Sequence, residues 1–390
     1  MHRDPGRGKC QALPFGKHRE HQDWPNWITV KDEVKIVGAI FSNKGDLEKL
    51  NGSLVSKCFF DELHKSYGVK GTILQKVYYV NTYLFSKIWY TAQCFKLEKK
   101  MLENLLMKAL KFVYAGQNER PVRSVNFRGR ESGGLGLVNP VVKAKALLLK
   151  SMYREFVRKG GDKNDVNSYI NIYGYTKEFT EIITAGVTLN SSLYVYQYLN
   201  EGIICKNNSI IPSRNEKWVN NVKWRIAWRN WRHLKGMDAD EIEFAWKMQQ
   251  DLLVIGSRIH RQNAERRCLA EISVGNCQEI ETLKHRFTSC EGVEVFFMKC
   301  KNIIEEYLER GVSTDEIIYL SFNHRDKKRL CCALWFAVKA MYKVYQMKYS
   351  SKSQILRELV KEIDWNLELN RKIGSFQQMQ NIKSIIEMFL

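Results

Sequence analysis

Apolar residues recur at helical spacing through most of this 390-residue chain, and this periodicity limits what the chain can fold into. The first such stripe follows Asn43 and Asp46, either of which would start a helix, and consists of Leu47, Leu50, Leu54, Phe59 and Leu63. Further helices are predicted from Thr72 to about Cys94 and from Leu97 to Val113. Three consecutive helices joined by short connections predict a small antiparallel bundle.

One stretch has a different pattern. Residues 34–41 alternate, are rich in β-branched side chains and end at Ser42-Asn43-Lys44-Gly45, which predicts a strand followed by a turn. Helical periodicity returns at 141–158 and 214–255, and again in the tail from 292. The predicted fold class is therefore mainly α, with a short β element near the N-terminus.

Glycine-rich and polar breaks divide the chain into five predicted segments. They are 1–45 with the strand, 46–116 with the bundle, 117–160 with a basic loop and helix, 161–300 as a helical linker with a Cys/His segment, and 301–390 as a helical tail. Residues 1–45 are expected to be poorly packed or displaced, because the strand would lack its sheet partners.

The charge of the chain indicates an acidic partner. There are 62 Lys and Arg against 42 Asp and Glu, a net charge of +20, and residues 1–150 hold 26 of the basic and 13 of the acidic residues. Nucleic acid is favoured over an acidic membrane because the basic helices have the pattern of core helices. Without a secretory signal or an apolar run of roughly 18 to 20 residues, the chain is predicted to be nuclear or cytoplasmic, not secreted.

A basic, glycine-rich loop at 117–140 is the first candidate contact with phosphate, through Arg120, Arg123, Arg128 and Arg130. The alternative is a solvated loop whose turn requires Gly133, Gly134 and Gly136. Lysines on the neighbouring helices are further candidates for contact with a nucleic-acid backbone, namely Lys70, Lys76, Lys87, Lys143, Lys145 and Lys150.

A helix rich in tryptophan and arginine is the second candidate. Trp224, Trp228 and Trp231 share one helical face, and an adjacent face carries Arg225, Arg229 and Arg232. The tryptophans could stack on bases, but we favour a helix that docks by its tryptophans and leaves its arginines in water. Those arginines remain candidates for contact with phosphate.

A Cys/His segment is the candidate metal site, with Cys268, Cys277, His285 and Cys290 as ligands. Three thiols and one imidazole suit zinc. A knuckle usually begins with two cysteines three positions apart, but Val274 stands three before Cys277, and Cys268 lies nine before it. Packed cysteine and histidine side chains are therefore an equal alternative, and Cys300 is a weaker substitute ligand.

Several catalytic motifs are missing from the sequence. It has no pair of adjacent aspartates of the kind that binds two divalent ions in polymerases, and no phosphate-binding glycine loop. Asp238-Ala239-Asp240-Glu241 precedes a predicted helix and is interpreted as its cap. Cys331 and Cys332 lie in an apolar helix and are expected to pack in a core.

Taken in order, these segments resemble the part of non-LTR (long-interspersed-element type) retrotransposon reverse transcriptases that follows their catalytic aspartates. Residues 9–16 and 34–41 resemble the palm segment and its closing hairpin, 46–116 the thumb helices, and 120–149 the stretch after the thumb, with "GGLGL" at 133–137. The resemblance covers 1–160 and, more loosely, 210–300. The fingers and the catalytic half of the palm have no counterpart, which implies a fragment or a truncated copy.

The resemblance implies that the chain grips an RNA template and a DNA primer. Catalysis by RNA-directed DNA polymerisation, with magnesium, would belong to a palm and fingers segment of the same polyprotein, so this chain alone is expected to be inactive. The family also carries a C-x2-C-x7-H-x4-C zinc segment in this place, whose second half fits Cys277, His285 and Cys290. The alternatives are a stand-alone nucleic-acid- or zinc-binding helical protein derived from such an element, and a helical interaction protein.

Overall fold

The computed structural model describes residues 11–14, 24–36, 38–43, 46–115, 121, 123–158, 182, 191–204, 222–253, 255, 268, 271–272, 275–277, 279–346, 352–368 and 376–390. In this part the chain is mainly helical, which confirms the predicted fold class. The elements in chain order are β1 (Gln11–Ala12), β2 (Thr29–Val30), β3 (Glu33–Ile36), β4 (Ala39–Ser42), α1 (Leu47–Ser66), α2 (Ile73–Tyr79), a π-helical turn (Val80–Leu84), α3 (Ser86–Cys94), α4 (Lys99–Tyr114), α5 (Arg123–Phe127), α6 (Pro140–Arg158), α7 (Ser192–Ile204), α8 (Trp224–Asn230), α9 (Ala239–Gln249), β5 (Glu271–Ile272), β6 (Gly275–Asn276), a second π-helical turn (His285–Ser289), α10 (Glu291–Leu308), α11 (Thr314–Ile318), α12 (Lys327–Gln346), α13 (Lys352–Glu368) and α14 (Phe376–Met388).

The chain forms two compact units, each built from non-contiguous segments. The first unit consists of Met1–Gly71, Lys76–Gly116 and Leu137–Asn207, and the second of Thr72–Gln75, Gln117–Gly136 and Asn208–Leu390. The division into five segments remains a prediction. Its boundary near residue 160 lies outside the described residues.

The N-terminal β structure of the first unit is a pair of two-stranded sheets. β1 and β2 are parallel, whereas β3 and β4 are antiparallel, with Val34 opposite Phe41. The stretch predicted as one strand is therefore a hairpin. Gly38 stands between its strands with a φ of 89°, a conformation that other residues rarely adopt.

Strand β4 packs on α1, so the expectation of a poorly packed N-terminal segment is wrong for this strand. Ala39 is buried, and the buried Asn51 side chain accepts a hydrogen bond from the Ile40 N–H (2.8 Å) and donates one to the Ile40 carbonyl (2.7 Å). A side-chain amide thereby satisfies the strand edge that a further strand would otherwise cover.

The first unit contains the helices predicted for residues 46–116. Asp46 caps α1, since its Oδ1 accepts hydrogen bonds from the N–H groups of Glu48 (3.0 Å) and Lys49 (3.1 Å). α1 packs on α3 and α4, with the Phe59 and Phe85 rings stacked at 6.2 Å. The second predicted helix is interrupted at Val80–Leu84 by the first π-helical turn.

Helices α6 and α7 complete the first unit. They pack on each other around the buried Leu149 and Val195, and α6 also packs on α3. The N–H of Asn139, just before α6, donates a hydrogen bond to the Tyr196 hydroxyl (3.0 Å). This bond fixes the start of α6 against α7.

The glycine-rich loop belongs to the second unit. The Gly133 carbonyl accepts hydrogen bonds from Trp246 Nε1 (3.2 Å) and Gln250 Nε2 (2.7 Å). Gly133 has a φ of 77°, and a Cβ there would lie 2.5 Å from the Trp228 ring. The interpretation of these glycines as a required turn is confirmed at this position.

Helix α8 docks by its tryptophans, as favoured from the sequence. Trp224 and Trp228 are buried and stacked at 5.2 Å, and Trp224 meets the Tyr319 ring edge-on. Arg225 and Arg229, on the adjacent face, are exposed. The tryptophan faces are therefore occupied by the protein core and are not presented to bases.

The core of the second unit is formed by α9, α10 and α12–α14. Asp238 and Glu241 form a capping box on α9, as predicted for the acidic run. Cys331 and Cys332 are buried in α12, and Cys332 Sγ lies 3.5 Å from Met379 Sδ, which confirms their packing role. Among the described helices, none has the length and apolar content that crossing a bilayer requires.

Candidate metal centre

Three cysteines and one histidine come together in the second unit. The ligand atoms of Cys268, Cys277, His285 and Cys290 all lie within 4.8 Å of one another, and the four side chains are buried. Cys268 Sγ is 3.8 Å from Cys290 Sγ, and Cys277 Sγ is 3.4 Å from His285 Nε2. Such a group could hold a metal ion.

A small β-hairpin joins the first two ligands. β5 and β6 pair antiparallel, with Glu271 opposite Asn276, and the Cys268 N–H donates a hydrogen bond to the Glu279 carbonyl (2.8 Å). Cys268 and Cys277 lie at the open end of this hairpin. Cys268 and Cys277 are nine residues apart, which appeared too long from the sequence. Strand pairing brings them together, whereas a usual zinc knuckle does so with a tight turn between two cysteines three positions apart.

The second π-helical turn joins the other two ligands. The Cys290 N–H donates a hydrogen bond to the His285 carbonyl (2.9 Å), which is the five-residue bond of a π-helix. The H-x4-C spacing is therefore one turn of this helix. The His285 N–H also donates to Thr282 Oγ1 (3.0 Å), which anchors the start of the turn.

Burial controls the charge of the ligands. It raises the pKa of the Cys290 thiol to about 12, an effect that the neighbouring Cys268 reinforces and a hydrogen bond from the Gly292 backbone opposes. Burial also lowers the pKa of His285, which favours the neutral imidazole that ligates metals. A bound cation would supply the positive charge that buried thiolates need.

The segment that carries His285 is fixed to the core on its other side. Arg286 forms an ion pair with Glu281 and lies over the Tyr345 ring, 5.4 Å from its centroid. Phe287 packs edge-on against Phe244 at 6.0 Å. The ligand cluster is therefore anchored to the packed core of the unit through the segment that carries His285.

Sequence reasoning missed the residues that support the ligands. Glu281, Arg286 and Gly292 flank His285 and Cys290, and their charge pairing and small size were available signals. The hairpin and the π-helical turn had no comparable local signal, because each is defined by a backbone hydrogen bond and not by a residue type.

The predicted nucleic-acid contacts differ in exposure. The exposed ones are Lys70, Lys87, Arg123, Arg130, Arg225 and Arg229, and the half-buried ones are Lys76, Lys143, Lys145 and Lys150. Arg128 is buried. Arg120 and the side chain of Arg232 lie outside the described residues.

Some of these lysines already contact the protein. Lys87 Nζ lies 3.8 Å from Glu62, and Lys76 Nζ lies over the Phe112 ring at 5.8 Å. Lys143 Nζ lies 5.6 Å from the Tyr196 ring centroid, and its pKa is lowered, mainly by burial. These lysines would present less charge to a phosphate than the exposed arginines.

No protein-family model and no curated protein matches the chain.

Proposed function

We propose that this chain binds nucleic acid and that a structural zinc ion, held by Cys268, Cys277, His285 and Cys290, stabilises its second unit. The observation that carries the zinc part of the proposal is the convergence of four buried ligand atoms from two separate pieces of backbone, a hairpin and a π-helical turn. Packing alone favours burial of cysteines but does not require three sulfurs and a ring nitrogen to meet.

The donor set selects zinc over hard cations. Thiolate and imidazole suit zinc, whereas magnesium and calcium require oxygen ligands. Two sulfurs at about 2.3 Å from a tetrahedral zinc are about 3.8 Å apart, and Cys268 and Cys290 have that separation. All four positions would be filled by protein, which is typical of structural rather than catalytic zinc.

The nucleic-acid part of the proposal is supported by charge and by resemblance. The chain carries a net charge of +20, and exposed arginines lie on α5 and α8 and beside the glycine-rich loop. The order of its segments resembles the thumb and following region of non-LTR reverse transcriptases. We propose that it grips an RNA template and a DNA primer by their backbones, and that polymerisation with magnesium requires carboxylates that this chain does not supply.

Metal analysis of the purified full chain tests the zinc site. We expect about one zinc per chain, and replacement by Co²⁺ should give the absorption of a tetrahedral thiolate complex. Less than about 0.2 zinc per chain, removable without any change in thermal unfolding, would contradict the proposal.

Fluorescence anisotropy with a labelled RNA–DNA primer-template tests nucleic-acid binding. Affinity should fall steeply and linearly on a log–log plot as salt rises, because phosphate contacts release counterions. No binding at about 50 mM salt would favour a helical interaction protein instead. Magnesium-dependent primer extension by this chain alone would contradict the proposal that polymerisation requires carboxylates from another segment.

A further inference from the structure

We propose that α2, the π-helical turn and α3 present a face for single-stranded nucleic acid, on which Tyr78, Tyr83 and Tyr90 stack against unpaired bases. This inference rests on the proposed nucleic-acid binding, and it specifies which form of nucleic acid the first unit binds. It is independent of the metal site, which lies in the other unit.

The three tyrosines are exposed although tyrosine usually packs its ring. Tyr78 is 64% exposed, Tyr83 49% and Tyr90 38%, whereas Tyr114 of the same unit is only 1% exposed. Tyr83 is supported from beneath by Tyr79, whose ring centroid lies 4.9 Å away. Exposed aromatic rings on a folded helix are available to a flat ligand.

The π-helical turn changes the spacing of the three tyrosines around the helix axis. In a continuous α-helix, with about 100° per residue, Tyr83 and Tyr90 would lie about 140° and 120° around the axis from Tyr78. The Phe85 N–H donates instead to the Val80 carbonyl (2.9 Å), five residues back, so the turn takes in one extra residue. The extra residue reduces the angle between Tyr78 and Tyr90 around the axis relative to a continuous α-helix, and Tyr83 lies within the turn itself.

The charge around this face suits a polyanion. Residues 63–97 contain no Asp or Glu and include the lysines Lys65, Lys70, Lys76, Lys87 and Lys96. Lys87 is exposed, as are Tyr83 and Tyr90. Glu62, at the edge of this stretch, accepts a hydrogen bond from Tyr79 (3.1 Å) and lies 3.8 Å from Lys87 Nζ. Phosphates passing the rings would therefore meet several lysines, one of which, Lys87, also contacts the Glu62 carboxylate.

Stacking distinguishes a single strand from a duplex. Base faces are covered by neighbouring bases in a duplex, so a duplex could use the lysines but not the rings. Tyr78 and Tyr90 are twelve residues apart, about 18 Å along the helix, which several nucleotides of a single strand can span. The combination of rings and cations thus favours an unpaired strand.

The test uses the full chain and labelled single strands of about 15 nucleotides, within the usual range of site sizes. Tyr83→Ala and Tyr90→Ala should each weaken binding of the single strand about five-fold or more, and leave binding of a blunt duplex of the same sequence unchanged. Tyr83→Phe should retain the affinity because it keeps the ring. Tyr194→Ala, at an exposed tyrosine of α7 in the same unit, is the matched control and should have no effect.

Each other outcome contradicts the inference. Equal losses for single strand and duplex would indicate a charge effect, and an equal loss in Tyr194→Ala would indicate a general surface effect. If Tyr83→Ala unfolds, as judged by circular dichroism, Tyr83→Leu replaces it, since leucine keeps apolar bulk without a ring. Binding that no tyrosine variant changes contradicts this inference alone, whereas a wild-type chain that binds neither strand nor duplex contradicts the proposed function as well.

Discussion

Cys268 Sγ and Cys290 Sγ lie 3.8 Å apart, although 22 positions separate the two residues in the chain. Two local structures produce this approach, the β5–β6 hairpin after Cys268 and the π-helical turn before Cys290. Cys300 lies ten residues further along α10, is also buried, and is not a member of the ligand group. Mutation of Cys290 and of Cys300 can therefore distinguish the effect of losing a metal ligand from the effect of losing a buried cysteine.

Cys290→Ser should reduce bound zinc to less than about 0.2 per chain. It should also lower the thermal unfolding temperature, because the site joins a hairpin to the core. Cys300→Ala is the matched control on the same helix and should retain zinc while losing only packing energy. Metal analysis and thermal unfolding with and without a chelator measure both effects; a chelator should destabilise the wild type and Cys300→Ala but not Cys290→Ser.

Gly133→Ala should destabilise the second unit by about 3 kcal/mol or more, through positive-φ strain and a clash with an aromatic ring. Its Cβ would lie 2.5 Å from Trp228, a buried side chain with little room to move. Gly136→Ala is the control, since Gly136 has a similar φ of 69° but open space around it. That variant should lose only about 1 kcal/mol. Urea unfolding followed by tryptophan fluorescence compares them, and equal losses would show that the clash is relieved.

Local chemistry made some of the structure predictable. Asp46 caps α1 because a carboxylate satisfies exposed N–H groups wherever it precedes a helix, and Trp224 and Trp228 are buried because their spacing places them on one face. The ligands were identified from residue type alone. The sequence did not show that the four ligands could meet, because the strand pairing that brings Cys268 close to Cys277 is a property of the backbone.

Two features could not be read from periodicity. A π-helical turn changes which residues share a face without changing any residue, so the arrangement of Tyr78, Tyr83 and Tyr90 could not be predicted from an α-helical projection. The packing of β4 depends on hydrogen bonds from Asn51, a polar residue that a search for apolar periodicity does not count as part of the core. Both depend on hydrogen bonds that form only in the folded chain.

Arg225→Gln and Arg229→Gln should each weaken primer-template binding and reduce the log–log salt slope by about one. Both side chains are exposed on α8, so the unfolding temperature should not change. Arg357→Gln, at an exposed arginine of α13, is the control and should leave the slope unchanged. Anisotropy titrations at several salt concentrations measure the slope. A uniform loss of affinity in all three variants would indicate that net charge, not α8, attracts the nucleic acid.

Lys339 is a buried lysine at the centre of an ion-pair network in the second unit. Its side chain is 7% exposed, and its Nζ lies 2.6 Å from Glu241 and 2.8 Å from Glu362. Lys343, one turn later, contacts Glu362 (3.1 Å) and Glu358 (3.2 Å). Burial opposes the charge of Lys339, but the two ion pairs outweigh it and raise its pKa above 10.5.

The two carboxylates that contact Lys339 respond differently. Burial raises the pKa of Glu241 above its ordinary value of 4.5 in spite of the lysine. Burial acts in the same direction on Glu362, but Lys339 and Lys343 together outweigh it and lower the pKa of Glu362 below 4.5. We take Glu362 as the carboxylate whose charge the network secures, because two ammonium groups contact it.

Lys339→Met should therefore lower the free energy of unfolding by about 3 to 5 kcal/mol, since it leaves the buried Glu241 without its cation and Glu362 with Lys343 alone. Lys343→Met should lose about 1 kcal/mol or less, because Lys343 is more exposed and Glu362 keeps Lys339. A lysine with a raised folded-state pKa stabilises fully below 10.5, and a glutamate with a lowered one stabilises fully above 4.5. The difference between wild type and Lys339→Met should thus be constant around neutral pH, shrink above pH 10.5, and shrink on acidification, where Glu241 with its raised pKa is protonated before Glu362. Urea unfolding across this range measures it. Equal losses for both lysines, or a difference that persists well above pH 10.5, would show that Lys339 contributes packing rather than charge.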